Sequence, residues 1–67
     1  MQMTPVISSN VIAVGYENNN LYVDYKGGRY IYLNVPKIEF ENLLNAESKG
    51  KYMNKHIKGY YSYSKII

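Results

Sequence analysis

The pair Gly27-Gly28, set between β-rich runs, constrains this chain more than any other feature. Two glycines at such a point form a two-residue hairpin loop of the primed type, because glycine supplies the positive φ such loops require. A second turn, Glu17-Asn18-Asn19-Asn20, separates Val11 to Tyr16 from Leu21 to Tyr25, and asparagine also tolerates positive φ. Together the turns predict a three-stranded antiparallel meander and set its register. With Gly27-Gly28 as the loop, Tyr25 opposes Tyr30 and Val23 opposes Tyr32. With Asn18-Asn19 as the loop, Tyr16 opposes Leu21, Val14 opposes Val23 and Ile12 opposes Tyr25. Opposed residues share a face. One face then collects Ile12, Val14, Tyr16, Leu21, Val23, Tyr25, Tyr30 and Tyr32, and it is the expected core face. The other carries Val11, Ala13, Gly15, Tyr22, Asp24, Ile31 and Leu33.

Two helices are expected after the meander. Pro36 suits the first turn of one, and Val35 before it is held extended. Phe40, Leu43 and Leu44 share a stripe that packs on the sheet, while Ile38 points away from it. Ser48 can cap a second helix and Gly59 can end it. The segment Tyr60-Tyr61-Ser62-Tyr63-Ser64 alternates weakly, as a short C-terminal edge strand would. The predicted fold class is α+β, with both short helices on one face of the sheet. Residues 1–7 read as an N-terminal tail and residues 8–67 as one domain.

The chain has 67 residues and no cysteine. A domain of this size buries only about 60% of the surface its unfolded chain exposes. Without thiols there is no disulfide, thiolate zinc site or cysteine nucleophile to expect. No apolar run is long enough to span a bilayer, and the N-terminus lacks a signal-peptide pattern, so a cytoplasmic location is expected. Catalytic residues, metal ligands and cofactors are not expected either. His56 stands alone, and Glu39 and Glu41 face apart on a helix.

The formal charge of +3 hides a division. All five acids precede residue 48, and after residue 47 there are five lysines (Lys49, Lys51, Lys55, Lys58 and Lys65) and no acid. On the second helix Lys51, Lys55 and Lys58 fall within a narrow arc with Asn54 beside it, opposite Met53 and Ile57. Such a strip fits a phosphate backbone, with Tyr52 as a flanking stacking group. The nine tyrosines include three more stacking candidates, Tyr60, Tyr61 and Tyr63. Tyr25, Tyr30 and Tyr32 are assigned to the core, because only their face is apolar enough to accept the first helix. Tyr22, Ile31, Leu33 and Ile38 are left as an apolar patch unless a terminal segment covers them, and such patches mark partner surfaces.

The runs Ser8-Ser9-Asn10, Ala13-Val14-Gly15-Tyr16, Tyr30-Ile31-Tyr32, Val35-Pro36 and Ser48-Lys49-Gly50-Lys51-Tyr52-Met53-Asn54-Lys55-His56-Ile57 resemble the KTSC domain over about residues 8 to 63. Met53 departs from the pattern, since an aromatic residue is common there. That family takes its name from a C-terminal domain of some lysyl-tRNA synthetases and includes free-standing bacterial and phage proteins. The resemblance implies that Ser48, Lys49, Gly50, Lys51, Asn54, Tyr30 and Tyr32 are motif positions, and the synthetase context suggests RNA. The leading expectation is a non-enzymatic RNA-binding module acting through Lys49, Lys51, Lys55, Lys58, Tyr52 and Asn54. The alternative is a protein-interaction module, such as a phage-encoded adaptor or inhibitor of a host protein, acting through the apolar patch. A homodimer through that patch is a third arrangement.

Overall fold

A computed structural model describes residues 1–67. Its sheet has five antiparallel strands in sequential order: β1 (Thr4–Pro5), β2 (Val11–Glu17), β3 (Asn20–Tyr25), β4 (Gly28–Tyr32) and β5 (Tyr63–Lys65). Between β4 and β5 the chain forms α1 (Lys37–Asn45) and α2 (Lys49–Tyr52), the latter continuing into a π-helical segment, Met53–Ile57. The α+β class and central meander agree with the sequence reading, but three strands with one possible edge strand understated the sheet. The missing strand was β1. A two-residue strand carries no periodicity to read, and only its pairing with β2, Thr4 opposite Val14 and Pro5 opposite Ala13, defines it.

The first hairpin follows expectation near its turn. Asn18 and Asn19 hold φ of 55° and 64°, and Tyr16 opposes Leu21 and Val14 opposes Val23. Further out the register shifts between Val11 and Ala13, so that Val11 rather than Ile12 opposes Tyr25. The extra residue exchanges the two side chains: Val11 is 1% exposed and Ile12 50%. A bulge of this kind leaves no signal in alternation alone.

The second hairpin turns at Lys26-Gly27, not Gly27-Gly28. Tyr25 opposes Gly28, Val23 opposes Tyr30 and Leu21 opposes Tyr32. Gly28 takes φ of 143°, which side-chain-bearing residues rarely adopt, and a Cβ there would overlap the Ile67 carbonyl oxygen. The register has moved by two residues, and because strand faces alternate with period two, no side chain changes face. Tyr25 now lies opposite a residue without a side chain and diagonal to Tyr30.

Pro36 directly precedes α1 in an extended conformation. Ser48 caps α2, its Oγ accepting from the Lys51 N–H at 3.2 Å. The core joins Val11, Val14, Leu21, Val23, Tyr32 and Val35 to Leu43, Met53 and Ile57 of the helical layer. Phe40 stacks on Tyr16 at 5.4 Å, and the Tyr16 hydroxyl donates to the Val35 carbonyl at 2.5 Å. On the opposite face the N-terminal residues cross the sheet over Gly15, where an added Cβ would come within 2.6 Å of Met3 Sδ.

Candidate functional site

A cleft opens where the helical layer stops short of the sheet's β4–β5 side. One part, of about 250 Å³, is lined by Asn10, Tyr25, Lys26, Gly27, Gly50, Met53, Asn54 and Lys58. The adjoining part, of about 330 Å³, is lined by Tyr25, Gly27, Tyr30, Tyr32, Lys58 and Tyr63. The parts share Tyr25, Gly27 and Lys58, and no acidic residue lines either.

The sheet register builds the aromatic wall. Tyr63 of β5 opposes Tyr32 of β4, which puts both rings on the helix side of the sheet. Tyr63 lies 6.0 Å from Tyr30 and 5.7 Å from Tyr32, and Tyr30 meets Tyr25 edge-on at 5.4 Å. The Tyr25 and Tyr32 hydroxyls share a hydrogen bond of 2.9 Å. Burial, followed by that bond, raises the Tyr25 pKa far above the ordinary tyrosine value, and burial raises that of Tyr32. Both rings therefore stay neutral at any physiological pH. Tyr32 is 2% exposed, Tyr25 and Tyr30 are half-buried, and Tyr63 is 59% exposed.

Cations border this wall. Lys58 Nζ stands 5.1 Å from the Tyr25 ring centroid, in cation–π range. Lys65 opposes Tyr30 and so shares its face, while Lys26 sits in the turn at the cleft mouth. The chemistry on offer is flat aromatic surface next to positive charge, with no carboxylate lining the cleft to neutralise it.

The structure brings together only part of the sequence-derived site. Lys58 and Asn54 reach the cleft, as do the motif positions Gly50, Tyr30 and Tyr32. The expected lysine strip is dispersed, because the π-helical segment turns less per residue than the α-helical spacing assumed. Lys58 has left the helix, with φ −65° and ψ 128°. Lys51 is exposed, and Lys55 borders a separate hollow with Glu39, His56, Tyr60 and Tyr61. Lys49 is committed elsewhere: its Nζ donates to the Ala46 and Leu44 carbonyls at 2.6 and 3.2 Å, satisfying the C-terminal end of α1.

Two of the stacking candidates are also engaged. The Tyr52 and Tyr61 hydroxyls both donate to Glu39, to Oε1 and to Oε2 respectively, and the Tyr52 ring lies 4.5 Å from His56. Burial and this carboxylate raise both tyrosine pKa values. Tyr60 is 69% exposed and lines a separate shallow hollow beside Tyr63, and Tyr63 alone of the candidates joins the aromatic wall. The sequence reading missed Tyr25, Lys26 and Lys65. Lys26 beside a turn and Tyr25 on the tyrosine face were visible, but their meeting with β5 depends on pairing across about 30 residues of intervening chain, which no local pattern carries.

The apolar patch is divided as well. Tyr22 and Ile31 are half-buried on the face that the N-terminal segment crosses, whereas Leu33 and Ile38 are 38% and 58% exposed. No helix is long and apolar enough to cross a membrane.

The KTSC domain model matches residues 7–61 of the chain. The sequence is 41% identical over 59 residues to a protein of Tsukamurella paurometabola, with 84% of this chain and 88% of that protein covered. The fold is similar to the crystal structure of a KTSC domain protein from Yersinia pestis, with a TM-score of 0.95 and 36% identity over 98% of this chain and 97% of the other.

Proposed function

The chain belongs to the KTSC domain family, and from that premise we propose that it is a small, non-enzymatic module that binds single-stranded RNA in the cytoplasm. The observation that carries this reading is the tyrosine-lined, acid-free cleft bordered by Lys26 and Lys58. Tyrosine faces suit unstacked bases and the ammonium groups suit the phosphates between them. A duplex keeps its base faces covered and would leave the aromatic wall unused, so the single strand is the better fit.

Fluorescence anisotropy with a labelled single-stranded RNA, a tRNA and a duplex DNA tests the reading at two salt concentrations. Two or three phosphate contacts predict a log–log salt slope of about −2. Tyr30→Ala and Tyr63→Ala should each weaken binding by about 1 kcal/mol or more through loss of stacking. Absence of binding to every nucleic acid at low salt would remove the proposal. A second reading, docking of a protein partner, is favoured by the exposure of Ile38 and Leu33. Capture of a partner that persists after ribonuclease treatment and is lost in Ile38→Ser would favour it.

A further inference from the structure

The chain has five glycines, and three are explained by the protein itself. Gly15 lies under Met3, while Gly28 and Gly59 hold positive φ of 143° and 85°. Gly27 and Gly50 have neither reason. Their φ values lie outside the left-handed region, and a Cβ at either position would meet nothing within 4 Å. Gly50 even stands within α2, where glycine is destabilising relative to alanine. These two glycines, from opposite layers of the molecule, line the same part of the cleft. Internal packing and backbone geometry leave both unexplained, and their shared location points to something that enters between them.

Resting on the RNA reading above, we propose that Gly27 and Gly50 are clearance positions that admit one unstacked nucleotide of a single strand. Its base lies against Tyr25, Tyr30 and Tyr63, and its phosphate meets Lys58 and the exposed Asn54 amide. Charge complementarity selects the occupant: a cleft with aromatic walls, a cation at its centre and no carboxylate matches a flat ring carrying a negative charge. The π-helical segment contributes by placing Asn54 at the cleft and releasing Lys58 toward Tyr25, and π-turns within helices recur at functional sites.

The proposal makes stability and binding respond to one substitution with opposite signs. Gly50→Ala should raise Tm by about 4 °C, because alanine is the better helix former and the new methyl meets no atom of the chain. The same change should weaken an oligouridine titration about tenfold by obstructing the base, and Gly50→Gln should weaken it further. Gly27→Ala should leave the melt nearly unchanged and also reduce affinity. If wild type and Gly50→Ala bind alike while Tyr30→Ala binds weakly, the cleft is correct and the clearance role is overturned. If wild type binds and all these variants bind as it does, the strand sits elsewhere and this proposal fails, although RNA binding itself survives. If wild type binds no nucleic acid, both readings fall. Uridine monophosphate is the control for a free nucleotide: competition as strong as that of the oligonucleotide would overturn the strand as occupant.

Discussion

Glu39 ties three separate segments together through side-chain hydrogen bonds. From the first turn of α1 its carboxylate receives the hydroxyls of Tyr52, in α2, and Tyr61, ahead of β5. It thus fixes the approach of the C-terminal segment to the helical layer, and an acid in that turn also complements the helix dipole. Glu39→Ala should cost about 1–3 kcal/mol, measured by urea denaturation, and Glu39→Gln less, because an amide oxygen can still accept one hydroxyl. The same bonds explain why residue type alone ranked the tyrosines poorly. Tyr52 and Tyr61 looked like free stacking groups and are tethered, whereas Tyr25 and Tyr30 looked like core and border an open cleft. A tyrosine's use depends on what its hydroxyl reaches, and here those partners are up to 22 residues away.

Among the elements, turns governed register with uneven clarity. The Asn18-Asn19 turn was legible because two consecutive positive-φ positions leave few residue choices. Asn18→Ala should destabilise the fold by about 1 kcal/mol, while Asn19→Gly should preserve or raise stability, both read by thermal melts. The second turn was misplaced by one residue and is not of the primed type: neither Lys26 nor Gly27 takes a positive φ, and only Gly28 after them does. The deciding constraint is Gly28, whose positive φ and closeness to Ile67 and Lys65 place it in the strand beside the returning C-terminal segment. The second helix was legible from its cap at Ser48 and from Met53 and Ile57, both fully buried. Its passage from α to π was not, since 100° spacing assumes one helical form throughout.

For the molecule as a whole, five strands and two short helices do not match in area, and the uncovered flank becomes the cleft. The neutral Tyr25–Tyr32 pair at this boundary also sets a limit on pH. Burial raises both pKa values above the unfolded value of about 10, so the folded state holds these protons more tightly. Their contribution is complete below pH of about 10 and declines above it as the unfolded chain ionises. Alkaline titration should therefore show tyrosinate absorbance rising together with loss of far-ultraviolet ellipticity, and Tyr25→Phe should make that transition less steep. Local sequence was enough for the α+β class, the meander, the face on which each of its tyrosines lies, and the buried side of each helix. These follow from local φ preferences and side-chain period, which need only a few consecutive residues. Which tyrosines stay accessible, which lysines remain free and the completion of the aromatic wall by β5 came only with the packed fold. Each of those depends on contacts between segments distant along the chain, whose geometry is set only when the sheet closes against its helices.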